Sequence, residues 1–151
     1  MNLFIKAGSH GNPGPAGFAV RLESNARELI TDARYVGHRT ANYAAFAGLV
    51  FGLTEALSRG ADQVRVFSDL TLLVGIMKGK MKCDNHELCP LAEQASGLTI
   101  HIGSVTFLQS RIDAKLKKII NNEITMKGSN IEAICPDSQF VYAIPCAEIA
   151  G

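Results

Sequence analysis

The sequence predicts a mixed α/β domain, with a sheet that starts antiparallel and gains parallel strands through helical crossovers. Three observations carry that expectation. Three apolar segments separated by turn material fill roughly the first 36 residues, a long helical pattern rich in small residues follows, and a short apolar strand then leads into further helices.

The first segments are 2–7 (NLFIKA), about 16–22 (AGFAVRL) and about 28–36 (ELITDARYV), divided by GNPGP and ESNAR. Three successive antiparallel strands are their natural reading. After Gly37 and His38, Thr40 precedes ANYAAFAGLVFGLTEALSRG, in which Leu49, Leu53, Ala56 and Leu57 share one helical face and Gly60 ends the helix. Ala44, Ala45, Ala47, Gly48 and Gly52 are small enough to bring this helix close to a sheet. QVRVFS (63–68) reads as a strand, TLLVGIMKG as a helix, and KGKMK as a basic turn. A helix over about 86–97, capped by Asp84 or Asn85, leads to a strand over about 99–107 (TIHIGSVTF), and IDAKLKKIINNEI is helical again. Residues 1–125 form one unit. Residues 126–151 read as a C-terminal extension, whose FVYAI, fenced by Pro136 and Pro145, is expected to form an added strand or arm.

Bulk properties narrow the function. The chain of 151 residues fits one domain, and 47% apolar with 19% charged residues is a globular composition. A formal net charge of +1 excludes a molecule that is basic throughout, so any nucleic-acid footprint must come from local clusters. MNLFIKAG does not read as a signal peptide, and no apolar run approaches the roughly 18 residues of a membrane span, so the expected location is cytoplasmic. Cys83, Cys89, Cys135 and Cys146 then read as reduced thiols. Cys83, His86 and Cys89 form C-x2-H-x2-C, but zinc sites usually need a fourth ligand and a knuckle or turn between pairs, and the stretch reads as a helix start.

Asp69 stands at the C-terminal end of the QVRVFS strand, where parallel strands present functional groups. Spacing alone favours a humbler role, as the N-cap of the helix after it.

Taken in order, GSHGNPGPAGFAV, TANYAAFAGLVFGLTEAL and VRVFSDLTLLVGIMKGKMK resemble type 1 ribonuclease H in its archaeal and bacterial short form, over about residues 3–122. The resemblance implies a ribonuclease H-like mixed sheet, three antiparallel strands then parallel strands, flanked by helices. It also implies cleavage of the RNA strand of RNA–DNA hybrids by two Mg²⁺ ions held on four carboxylates, which stabilise the attacking and leaving oxygens. Carried over by position, the Asp of Asp-Gly falls on Ala7, the Glu of T-N-N-x-A-E-Y on Ala45, and the Asp of S-D-S on Asp69. The last Asp, from R-x-x-N-x-x-A-D-x-L-A, falls on Lys117, with Asp113 one helical turn before it. One carboxylate of four cannot hold two Mg²⁺ ions. The expected catalytic centre is therefore a remnant with no metal and no cofactor, in which Lys117 pairs with Asp69. Ala41 also departs from T-N-N, which suits natural loss better than engineered inactivation.

What the resemblance keeps is binding apparatus. Gly11, Asn12, Thr40 and Asn42 match residues that contact the minor groove, the sugar 2′-hydroxyls and a DNA phosphate, with Arg39 beside them. Asn12 in an Asn-Pro turn and Thr40 as an N-cap are the structural readings of the same residues. Lys78, Lys80 and Lys82 resemble the family's basic turn, and Lys115, Lys117 and Lys118 with Arg111 form a second cluster. The expected function is weak binding of RNA–DNA hybrid or RNA, without hydrolysis. Two alternatives stand beside it: a hybrid ribonuclease in which Asp69 and Asp113, or a partner chain, support one metal, Mg²⁺, and an interaction or dimerisation module working through residues 126–151.

Overall fold

The structure, a computed structural model, describes residues 1–128. The expected FVYAI strand and the arm or dimer contact assigned to the extension lie outside the described residues.

The chain runs β1 (Asn2–Ser9), β2 (Gly14–Ser24), β3 (Arg27–Arg39), α1 (Ala41–Ser58), β4 (Gln63–Ser68), α2 (Thr71–Met77), α3 (Cys89–Ile102), β5 (Ser104–Gln109) and α4 (Ala114–Gly128). One five-stranded sheet has the order β3-β2-β1-β4-β5. The β1/β2 and β2/β3 pairs are antiparallel, while β1/β4 and β4/β5 are parallel, as the sequence predicts.

Alternation along the strands divides the core in two. Leu3, Ile5, Phe18, Val20 and Leu22 face α1 and join the larger cluster with Leu49, Leu53, Val64 and Val66. Phe4, Ala19, Ala33 and Tyr35 face the other way and receive Leu116, Ile120 and Ile124 of α4. That four-residue spacing lines one side of a helix, and full burial of each such side chain is worth about 1.5–3 kcal/mol. Gly48 and Gly52 set how closely α1 lies on the sheet. A Cβ on Gly52 would stand 2.6 Å from Leu3 Cδ1, and one on Gly48 would stand 3.0 Å from Phe18 Cβ.

The structure corrects two expectations around α3. Residues 99–102 complete this helix rather than opening a strand, and β5 starts at Ser104. Thr-Ile-His-Ile alternates like a strand, but a strand would place Ile100 and Ile102 on the same face. In fact Ile102 is 4% exposed and Ile100 is 78% exposed, since two residues on a helix point nearly opposite ways. Gly103, at φ 116°, ends the helix and gives its N–H to Thr99 O at 2.9 Å. The helix also begins at Cys89 with no side-chain cap, and Pro90 occupies its first turn. Asn85 instead builds the preceding turn: its Oδ1 accepts from Glu87 N at 2.7 Å, and its carbonyl accepts from Leu88 and Cys89 N at 3.0 Å each.

Gly52→Ala gains helix propensity of about 1 kcal/mol but drives a methyl into Leu3, an overpacking cost of about 1–3 kcal/mol. Urea denaturation is expected to show a lower midpoint for this variant, with an unchanged slope.

Candidate functional site

The β1/β4 register pairs Ile5 with Ser68, so the residues just beyond, Lys6 with Ala7 and Asp69 with Leu70, meet at one end of the sheet. There the start of α1 closes over the strand ends. Ile5, Ala7, Ala41, Asn42, Ala45, Ser68, Asp69 and Leu70 line a small cavity of about 60 Å³. Three sequence-predicted positions, Ala7, Ala45 and Asp69, are thus brought together, with Asn42 beside them. Ser68 is buried at the cavity floor, where its hydroxyl accepts from Leu70 N at 3.1 Å.

Asp69 does not cap α2. The N-cap is Leu70, which makes no side-chain cap bond. The Asp69 carboxylate is instead ion-paired with the Lys6 ammonium on the neighbouring strand, where it accepts a hydrogen bond from Nζ. Lys6 alternates with Ala7 and so belongs to the sheet face that carries α4. From there it reaches over the strand end, and Ala7 is left facing α1. This overturns the expected Lys117–Asp69 pair, because strand pairing puts Lys6 directly across from Asp69. Lys117 lies exposed on α4, which packs on the opposite face from α1, and it does not line the cavity. Counting R-x-x-N-x-x-A-D from Arg111 reaches Lys118, also exposed, so either register supplies an ammonium and no carboxylate.

Asp113 is committed elsewhere. Its Oδ1 accepts from Lys115 N at 2.9 Å at the start of α4, and its Oδ2 lies 3.2 Å from Arg21 Nη1. The Lys115 N–H, and then the Arg21 guanidinium, hold this carboxyl below the usual range. Among the described residues, no group of three or more His, Cys, Asp or Glu is placed to hold a metal ion. The Mg²⁺ pair implied by the resemblance does not fit these residues. Two of its ligand positions are methyl groups, and the retained carboxylate already has a cation.

The expected binding residues gather at the N-terminus of α1. Asn12 Oδ1 accepts from Ala41 N at 3.0 Å, and Thr40 Oγ1 accepts from Tyr43 N at 3.1 Å. Thr40 is thus the N-cap of α1, and Asn12 adds an acceptor from a second segment at the same helix end. Gly11 has φ 97°, which only glycine adopts without strain, and the Asn12–Pro13 peptide is cis. The Arg39 guanidinium lies over the Tyr43 ring, 4.8 Å from its centroid. Lys78, Lys80 and Lys82 form an exposed basic turn after α2, away from the cavity lining. Among the described residues no helix is long and apolar enough to cross a membrane.

Residues 6–108 match the family described as Reverse transcriptase-like. The curated relatives include the bifunctional protein Rv2228c of Mycobacterium tuberculosis and an uncharacterized protein of Mycobacterium bovis, each 33% identical over 111 residues. These matches cover 71% of this chain but only 30% of each relative. Among solved structures, the N-terminal RNase H domain of Rv2228c from M. tuberculosis is 26% identical with a TM-score of 0.77, covering 86% of this chain and 98% of that one. RNase H1 of Halobacterium salinarum shares the fold at 20% identity and a TM-score of 0.72, over 80% of this chain and 97% of its own. LC11-RNase H1, solved in complex with RNA/DNA hybrid, does so at 22% identity and 0.76, over 83% and 96%.

Because Asp113 has a lowered carboxyl in the folded chain, its contribution to stability is fully present above the unfolded value of about 3.9 and is lost as pH falls through the folded one. The stability difference between the wild-type chain and Asp113→Asn is expected to begin shrinking below about pH 4 and to vanish once pH falls below the lowered folded value, where both side chains are neutral. Urea titrations across pH measure this, and a difference independent of pH would count against the assignment.

Proposed function

The chain belongs to the reverse transcriptase-like family and carries its ribonuclease H fold, and from that premise we propose that it binds RNA–DNA hybrid or RNA without metal-dependent cleavage. One observation carries the loss of cleavage. The cavity where the resemblance places three metal-binding carboxylates contains Ala7, Ala45 and an Asp69 paired with Lys6. Two divalent cations beside a phosphate need several anionic oxygens, and Lys6 already compensates the charge of the one carboxylate that remains.

Binding is supported by what remains at the same end of the sheet. Asn12 spends its side-chain oxygen on Ala41 N, which leaves its amide N–H groups to donate outward. Amide donors of Asn12 and Asn42 that make no hydrogen bond among the described residues, with Arg39 nearby, suit sugar hydroxyls and phosphates, and the exposed Lys78, Lys80 and Lys82 suit the backbone. The hybrid in the LC11-RNase H1 complex supports the ligand class. Base identity plays no part in such contacts, so recognition is independent of sequence.

The full chain is expected to retard a labelled RNA–DNA hybrid at low salt and to leave it uncut with Mg²⁺ or Mn²⁺. Each lysine of the basic turn that neutralises a phosphate should contribute about 0.9 to the slope of log affinity against log salt. Changing Lys78, Lys80 and Lys82 to Gln should therefore flatten that slope and weaken binding. Metal-dependent cleavage abolished by Asp69→Asn would overturn the proposal in favour of a single-metal nuclease. No hybrid or RNA binding at low salt would remove the binding half.

A further inference from the structure

Cys83 and Cys89 lie outside this site, yet their Sγ atoms are only 2.9 Å apart. The Asn85 turn produces the approach: it folds the chain back so that Cys89 Sγ also lies 3.1 Å from the Cys83 carbonyl oxygen. Both thiols are free and partly exposed. They line an open surface groove of about 490 Å³ together with Met77, Ala92 and Glu93, which gives a small reagent access. The sulfurs need to close by only about 1 Å to reach bonding distance.

We infer that Cys83 and Cys89 are a dithiol site that a small-molecule disulfide oxidises to an intrachain disulfide, closing the turn between the basic segment and α3. The Cys83 thiolate attacks the reagent disulfide, forms a mixed disulfide and releases one reagent thiol. Cys89 then gives up its proton, attacks the Cys83 sulfur and displaces the second reagent thiol. Two protein thiols and one reagent disulfide thus become one protein disulfide and two reagent thiols. Before oxidation the Cys89 thiol is held up at about 11, chiefly by its hydrogen bond to Cys83, then by desolvation and by the charges of Cys83, Glu93 and Asp84. Capping Cys83 removes the first of these causes and frees Cys89 for the second step. The inference rests on thiol geometry and is independent of the nucleic-acid reading.

The full chain, treated with 2-hydroxyethyl disulfide and then alkylated, tests it by intact mass and a non-reducing peptide map. The expected product has lost two hydrogens, carries one Cys83–Cys89 link, and keeps Cys135 and Cys146 alkylated. Dithiothreitol should reverse the change, and Cys89→Ser should stop at a mixed disulfide on Cys83. The Cys135→Ser, Cys146→Ser double variant should form the same link at the same rate, a check that leaves α3 untouched. A link to Cys135 or Cys146, a link between chains, or a lasting adduct on Cys83 with Cys89 intact would overturn the proposal.

Discussion

The pairing of β1 with β4 is the contact on which the rest depends. β1 is the strand where the antiparallel half of the sheet meets the parallel half, and its partners Asn2 to Ile5 align with Arg65 to Ser68. A slip of one residue would exchange its faces, sending Ile5 toward α4 and Phe4 toward α1. The same register fixes which groups meet past the strand ends. It sets Lys6 against Asp69 and Ala7 against the cavity, so the chemistry of the site follows from hydrogen bonding along the backbone.

The α1 helix depends on that sheet end in turn. Its first turn has no acidic side chain to offset the exposed N–H groups, and the donors go to Thr40 and to Asn12, a residue of the β1–β2 turn. Loop and helix are therefore one unit: the turn gives up an acceptor to the helix, and the helix fixes the orientation of the turn. Further along, Gly48 and Gly52 let α1 settle onto Phe18 and Leu3, which holds Ala45 at the cavity wall. Packing far from the site thus sets its dimensions.

Much of this was legible in the sequence, and what was not has physical causes. Turn chemistry and apolar periodicity identify the first three strands and α1, because each signal is local and strong there. The motif resemblance brings Ala7, Ala45, Asn42 and Asp69 together, although they are remote in the chain. It misses Lys6, because a lone lysine in a strand reads as a solvated side chain. The available signal was the register: placing the two strands side by side puts Lys6 next to Asp69. The alternation in Thr-Ile-His-Ile misled for a related reason, since four residues fit either period and only the burial of Ile102 separates them. The thiol pair was visible as two cysteines six residues apart, but their approach depends on the Asn85 turn.

The Lys6–Asp69 pair also bears on how the site would respond to substitution. As a partly exposed ion pair it adds about 1 kcal/mol or less to stability, so folding alone does not account for its presence. Its effect is on what a substitution at the site could do. Restoring an acid at position 7 or 45 alone would set a second negative charge near a single ammonium, with too few oxygens for a metal pair. Removing Lys6 alone would leave one bare carboxylate. Under the proposed function, no single substitution here would assemble a metal pair. The pair thus couples positions 6, 7, 45 and 69, so that a change at any one alters the charge balance the other three face.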